Sequence, residues 1–311
     1  MDTRAIGSLR VSVVGLGCNN FGGRLDEAGT SRVVRAALDA GINFFDTADI
    51  YGGGGRSEEL LGRALGAHRS EVLVATKFGM RMDDQRTGAR PEYVRAAADD
   101  SLRRLGTDHI DLYQLHQPDA SVPIADTLGA MNELVVAGKV REVGCSNFSA
   151  QQIREAEDIS AAHGFARFVS VQNEYSLLHR EPEIDVLAEC ERVKASFLPF
   201  FPLASGLLTG KYRRGEPAPD GSRLASGPRA AQLTDERLAQ VELLRDFAHS
   251  TGHTLLELAF AWLLARPVVA SVIAGAMQPE QIASNAATID WRLTADEMAA
   301  IDKVLDAPAK S

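Results

Sequence analysis

Short apolar runs alternate along this chain with longer segments whose apolar positions recur at helical spacing. The runs predict strands over 12–17, 42–48, 72–78, 110–116, 140–146, 168–174, 196–203 and 268–275. The segments between them predict amphipathic helices near 30–40, 57–65, 91–105, 123–137, 149–163, 183–193 and 236–265, with another after 279. Gly41, Gly66, Gly106, Gly138, Gly164 and Gly252 stand where those helices should end, the position at which a left-handed residue costs glycine nothing. The strands are rich in Val, Ile, Leu and Phe and scarcely alternate, which suits parallel strands covered on both faces. Eight strand–helix repeats predict a closed (β/α)8 barrel, the TIM-barrel architecture, rather than an open doubly wound sheet. No composition break divides residues 1–311, so one domain is expected. The exception to the rhythm is 205–233, rich in Gly, Pro, Ser and Arg, which reads as a flexible functional loop.

Composition narrows the partners. With 45% hydrophobic and 24% charged residues and a formal net charge of −9, the chain reads as a globular protein that engages neither nucleic acid nor an anionic membrane. Cys18, Cys145 and Cys190 lie too far apart for a zinc motif, so no metal is expected and the thiols read as buried groups in a reducing compartment. The polar first residues do not form a signal peptide, and no run approaches the ~20 apolar residues of a membrane span. A cytoplasmic protein is expected, its oligomeric state open.

Two glycine-rich stretches invite a phosphate-loop reading and fail it. Gly15 and Gly17 follow an apolar run, but Asn20 stands where a dinucleotide fingerprint needs its third glycine. The next helical pattern begins only near Thr30 or Ser31, too late to set a helix N-terminus under a pyrophosphate. Residues 52–57, GGGGRS, lack the Lys-Ser/Thr ending of a P-loop. They read as a turn before a helix capped by Ser57, with Glu58 and Glu59 in its first turn.

If the chemistry of such a barrel sits at the carboxyl ends of its strands, four polar residues stand out there. Asp46 ends the second predicted strand and Tyr51 follows it, while Lys77 and His116 end the next two. Each alone has an ordinary reading as a cap, a surface charge or a loop donor. Together they close hydrophobic segments, where a charge is costly unless paired, and Lys77 with Asp46 is the natural pair. A nearby ammonium should lower the pKa of a tyrosine hydroxyl from ~10. His116 could then hold a carbonyl oxygen while Tyr51 supplies a proton. No nucleophile motif of the G-x-S-x-G, H-E-x-x-H or Cys–His kind is present.

The segments GINFFDTADIYGGGGRSEELLGRAL, VATKFG, DLYQLHQPD, VGCSNFS, SVQNEYSLL, PLASGLLTGKY and VIAGAMQPEQIASN, in that order, resemble the aldo-keto reductase family. The resemblance implies a (β/α)8 barrel, with Asp46, Tyr51, Lys77 and His116 as its tetrad. It also implies a nicotinamide cofactor lying extended over the strand ends, without a Rossmann domain. On that resemblance Ser146, Asn147 and Gln172 hold the nicotinamide carboxamide, and Phe200 stacks on the ring where the family often has tyrosine. Leu203, Ser205, Gly206 and Lys211 lie near the pyrophosphate. Gly275 and Gln281 belong to the late cofactor segment, and Asn285 contacts adenine. Asn20, Phe21, Tyr175 and His179 line the substrate pocket, which would suit an aldehyde, ketone or sugar.

The late cofactor segment departs from the family pattern. Ala274–Gln278, followed by Gln281 and Ser284, offers no cation for the 2′-phosphate of NADP. Lys211, Arg213 and Arg214 are the substitutes at hand. NADP is expected from the habit of the family, with NAD as the alternative. Two other functions remain open from the sequence: a cofactor-binding regulatory subunit of a membrane channel, and an aldolase-like barrel with Lys77 as a Schiff-base lysine.

Overall fold

Eight parallel strands close around one axis in the computed structural model, which describes residues 1–306. They are β3 (Val14–Gly17), β4 (Phe44–Asp46), β5 (Leu73–Phe78), β6 (Ile110–Leu115), β7 (Val140–Ser146), β8 (Phe168–Glu174), β9 (Ser196–Phe200) and β10 (Val272–Gly275). Neighbours run in chain order from β3 to β9, and β10 lies on the far side of β3. The ring shuts where the Phe197 N–H donates to the Val268 carbonyl at 2.7 Å and the Ala270 N–H donates back to Phe197 at 3.0 Å. The expected barrel is therefore the observed one.

An antiparallel hairpin, β1 (Thr3–Ile6) and β2 (Leu9–Ser12), precedes the barrel and was not expected. Its signal was legible: Gly7-Ser8 is a two-residue turn, and Gly7 takes the positive φ of +54° that such a turn requires. The predicted strand over 12–17 is thus two elements, broken at Val13. The hairpin buries Ile6, Leu9 and Val11 against Phe44, Ala75, Leu112 and Leu198. It stoppers the end of the barrel opposite the strand carboxyl termini.

Helices α1 (Glu27–Asp39), α3 (Arg56–Leu65), α4 (Pro91–Leu105), α5 (Ile124–Val136), α6 (Ala150–His163) and α7 (Val186–Val193) wrap the strands, with a single irregular turn, α2 (Tyr51–Gly54), between β4 and α3. Then follow α8 (Asp235–Ser250), α9 (Leu255–Leu264), α10 (Pro279–Ala286) and α11 (Ala295–Asp306). Helix α1 starts earlier than its apolar spacing suggested, because the Asp26 carboxylate accepts the Gly29 N–H at 2.8 Å. The single helix expected over 236–265 is two. Gly252 turns at φ +81°, and Thr254 with Glu257 forms a reciprocal capping box that starts α9 afresh.

Gly15 belongs to the barrel wall rather than to a phosphate loop. A Cβ there would lie 2.8 Å from Ser271 Oγ and 3.1 Å from the Phe44 ring, so close strand packing explains the glycine. Ser57 does not cap α3 either: Gly55, at φ +96°, takes that place. The Ser57 hydroxyl instead donates to the Cys18 carbonyl at 2.8 Å and lies 2.9 Å from Thr47 Oγ1. Glu58 and Glu59 do lie in the first turn of α3, and Glu58, wholly buried there, accepts from Arg104 Nε at 2.6 Å as a core ion pair.

Because Leu9 is 1% exposed beneath the barrel, Leu9→Ala should cost about 2–5 kcal/mol. Urea denaturation should register the loss, while residual activity of the folded fraction stays close to wild type.

Candidate active site

Every barrel strand delivers its last residues to one rim, where backbone pairing ends and side chains can turn toward the opening. Asp46 is the final residue of β4, Lys77 lies one before the end of β5, and His116 follows β6 directly. Lys77 is completely buried, and its Nζ donates to Asp46 Oδ2 at 2.6 Å and to the Thr47 carbonyl at 2.9 Å. Asp46 Oδ1 accepts the Gln172 amide at 2.9 Å and the Gln114 amide at 3.4 Å. The carboxylate is thus surrounded by donors, the condition under which a buried ion pair persists.

Tyr51 stands over this pair on α2, with its ring centroid 5.4 Å from Lys77 Nζ. The His116 ring meets it edge-on, with centroids 5.8 Å apart. Four consecutive glycines at positive φ, Gly52 to Gly55, let the chain turn from the strand into α3 directly behind the tyrosine. The four residues singled out in the sequence therefore come together at one mouth.

Their protonation differs in one respect from expectation. Burial raises the Tyr51 hydroxyl, and Lys77 only partly opposes it, so the net shift is upward. Tyr51 is accordingly a neutral phenol that holds its proton. Burial alone would depress Lys77, but Asp46 and Tyr51 outweigh it and keep the ammonium charged. Burial, with Lys77 close by, drives His116 down to about 3. His116 is neutral, and its buried Nδ1 has no protein partner. A neutral proton donor, a fixed cation behind it and an uncharged imidazole beside it can together protonate an oxygen that gains negative charge.

Of the remaining predicted residues, Asn147 and Gln172 touch the tetrad directly, at His116 and Asp46, and Ser146 touches Gln172. Ser146 Oγ donates to the Gln172 carbonyl at 2.6 Å. Asn147, held at φ +62°, donates from its side chain to the His116 carbonyl at 2.9 Å. Gln172 has its side-chain nitrogen committed to Asp46, which leaves its side-chain oxygen Oε1. Phe200 ends β9 with its ring edge-on to Phe201, centroids 5.2 Å apart. Beyond Leu203, positive φ at Ala204 and Ser205 concentrates backbone strain, as ligand-holding segments often do, and Gly206 continues the turn without strain. A Cβ on Gly206 would meet Lys211 Nζ at 3.1 Å, so the ammonium lies over that glycine. Gly275 ends β10 beside Asn20, Gln281 accepts the Met277 N–H at 2.7 Å, and Asn285 is buried in α10.

The expected substrate wall needs correction. Phe21 and Tyr175 are both wholly buried in the main core. The Tyr175 ring packs on Phe197 and Trp262, and its hydroxyl donates to Glu183 at 2.8 Å. Aromatic residues beside a strand end satisfy the packing of the helical layer as readily as a pocket, and here packing takes them. Asn20 is 3% exposed, donates to the Ala276 carbonyl and accepts from Arg223 at 2.8 Å. His179 stays partly exposed near Glu181.

Three groups at this mouth were missed in the sequence. Gln114 is two residues before His116, and the two-residue strand period puts both on one face. Arg223 and Arg229 lie in the 205–233 loop, where no periodicity marked them. Arg223 reaches the side-chain oxygens of Asn19 and Asn20, and Arg229 reaches Ser205 Oγ at 3.3 Å and sits 4.1 Å over the Phe201 ring. Neither has a carboxylate partner among the described residues. Burial, with Arg229 and Arg24 nearby, holds Arg223 below its ordinary value. Cations gathered without an anion suit a phosphate-bearing ligand. No group of three or more metal-ligating side chains occurs among the described residues, and no described helix is long and apolar enough to cross a membrane.

The aldo/keto reductase family model matches residues 13–306. The chain belongs to the aldo/keto reductase family. It is 34% identical to "Aldo-keto reductase YhdN" of Bacillus subtilis over 96% of this chain and 91% of that protein. It is 33% identical to "Uncharacterized oxidoreductase YrpG" of the same organism, over 96% and 94%. It is also 36% identical to "Probable voltage-gated potassium channel subunit beta" of rice, Oryza sativa subsp. japonica, over 91% and 88%. Membership makes the chain an NAD(P)-dependent oxidoreductase, of a family whose reaction is carbonyl reduction.

Asp49 lies between Asp46 and Tyr51 and is also wholly buried. The Tyr93 hydroxyl donates to its Oδ2 at 3.2 Å, while its Oδ1 has no partner. Burial, with Glu58 nearby, pushes its carboxyl up from 3.8 to about 7. Across that interval the folded chain keeps a proton that the unfolded chain has released, so Asp49 costs stability increasingly as pH rises. Asp49→Asn should therefore stabilise the protein at pH 8 by on the order of a few kcal/mol, with the gain vanishing near pH 4. Denaturation midpoints across pH measure it, and parallel curves for variant and wild type would show an unperturbed carboxyl.

Proposed function

We propose that this family member is an NADPH-dependent reductase that interconverts an aldehyde, ketone or sugar carbonyl with its alcohol. The observation that carries the reading is the neutral Tyr51 phenol directly over the buried Lys77–Asp46 pair, at the open end of the barrel. When bound, the nicotinamide ring supplies the hydride. Tyr51 donates its proton to the substrate oxygen as negative charge develops there. The Lys77 ammonium stabilises the phenolate left behind, and Asp46 holds that ammonium charged and aimed. His116, uncharged, offers a ring N–H to the same oxygen and so orients the carbonyl. In the oxidative direction the phenolate takes the proton back.

The mouth suits the cofactor chemically. Ser146, Asn147 and the side-chain oxygen of Gln172 offer polar partners for the carboxamide, and Phe200 an aromatic face for the ring. Ser205, Gly206, Lys211, Arg223 and Arg229 gather hydroxyl, close backbone and cationic groups for the pyrophosphate. Leu203 shields that segment, and Gly275, Gln281 and Asn285 serve the adenosine end. Of the polar residues expected at the substrate, His179 is left available, whereas Asn20 is engaged by Ala276 and Arg223.

A second reading, a channel-associated regulatory subunit, is favoured by the likeness to the rice probable potassium channel subunit. The tetrad alone does not separate the two, but turnover does. Oxidation of NADPH and NADH should be followed against a panel of aldehydes, ketones and sugars. Tyr51→Phe should lower kcat by roughly 10²–10⁴-fold while cofactor affinity, measured by fluorescence titration, is retained. Tight cofactor binding without turnover on any substrate would overturn the reductase reading.

A further inference from the structure

A cleft of about 450 Å³ opens between the segment following β9 and helices α8 to α10. Its wall includes Thr209, Gly210, Arg213, Arg245, His249 and Ser284. Thr209 and Gly210 run directly into Lys211, and Ser284 adjoins Asn285. The cleft thus borders the two segments proposed above for the cofactor's phosphates and adenine. The late segment from Ala274 to Ser284 itself contains no Lys or Arg and does contain Glu280. Any cation for a phosphate on the adenosine ribose must come from another element.

Arg245, on α8, is such a cation. Its side chain is 16% exposed, and its one ion-pair contact among the described residues is a loose 3.7 Å approach to its neighbour Asp246. A guanidinium that is mostly buried yet lacks a close acceptor leaves its fork of N–H donors available. Arg213 lines the same cleft, is exposed, and has no ion pair among the described residues. One carboxylate, Glu257, also lines the space, but it is engaged. Its Oε2 accepts the Thr254 N–H at 2.7 Å and hydroxyl at 2.8 Å, and its Oε1 lies 3.5 Å from His253. The charge facing the cleft is therefore positive.

We infer that Arg245 and Arg213 form a phosphomonoester site, and that it receives the 2′-phosphate of the dinucleotide. This rests on the proposed placement of an extended cofactor across Lys211 and Asn285. It replaces the cations missing after β10 with one from α8 and one from the 205–233 loop. Charge-assisted, two-pronged contacts of guanidinium with phosphate discriminate strongly against a ligand that carries a hydroxyl at the same place.

Binding, rather than turnover, tests it. NADPH, NADH and inorganic phosphate are titrated against wild-type protein and the variants Arg245→Gln and Arg213→Gln by quenching of intrinsic fluorescence. Wild type should bind NADPH more tightly than NADH. Each variant should weaken NADPH by roughly ten- to a hundredfold and leave NADH unchanged. Inorganic phosphate should compete with NADPH more than with NADH. The exposed position of Arg213 keeps the test open if the Arg245 variant does not fold. An NADPH-to-NADH affinity ratio that stays at the wild-type value in the folded variants overturns the inference. So does phosphate binding that these substitutions weaken without any effect on NADPH, since the cleft would then serve free phosphate. The reductase reading fails separately, by absent turnover with both cofactors, and the affinity ratio remains measurable in that event.

Discussion

The contact between the Lys77 ammonium and the Asp46 carboxylate is the constraint to which the rest of the mouth is fitted. Neither ion could stay charged alone at that depth. Each must have the other, and the lone pairs and protons left over must also be satisfied. The Thr47 carbonyl takes one ammonium proton, and the amides of Gln172 and Gln114 cover the remaining carboxylate oxygen. These partners come from β4, β5, β6 and β8, so the register of half the barrel is tied to one ion pair. Removing one partner would leave the other as an uncompensated buried charge, a larger loss than the contact itself is worth.

Around that centre, burial does opposite things to neighbouring groups, and the differences are functional. It keeps the Tyr51 proton on, keeps His116 neutral and leaves Lys77 charged only because a carboxylate is in contact. The same low-dielectric setting makes Asp49 expensive, since its single hydroxyl donor cannot offset the buried charge. The short stretch from Asp46 at the end of β4 to Tyr51 at the start of α2 therefore carries an ion-paired carboxylate, one held only by a hydroxyl, and the phenol.

Much of this was legible in the sequence, for identifiable reasons. The eight parallel strands announce themselves because strands covered on both faces leave long apolar runs, and the four polar residues stand out against those runs. The glycines that end helices could be read one by one. What escaped depended on contacts between distant segments. The Gly7-Ser8 hairpin is short and half polar until the barrel buries it. Phe21 and Tyr175 looked like pocket walls because sequence position gives the strand end but not the direction of the ring. The net rise at Tyr51 depends on depth, which no spacing encodes. Arg223 and Arg229 sit in an aperiodic loop, so their approach to Asn20 and Ser205 exists only in three dimensions.

The closure of the ring has a bearing on how the chain is made. Leu16 of β3 pairs with Phe45 of β4 on one side but with Ala274 of β10 on the other. Arg4, in the hairpin, donates to the carbonyls of Leu264, Arg266 and Val269. In synthesis β4 can cover one edge of β3 early, but the other edge waits for β10. Until then β3 presents one open apolar edge, and covering it is a slow non-local step. For this barrel the hazardous interval is the time between the emergence of the β1–β2 hairpin and the arrival of β10, when partial barrels are most exposed to aggregation and most in need of a chaperone's cover.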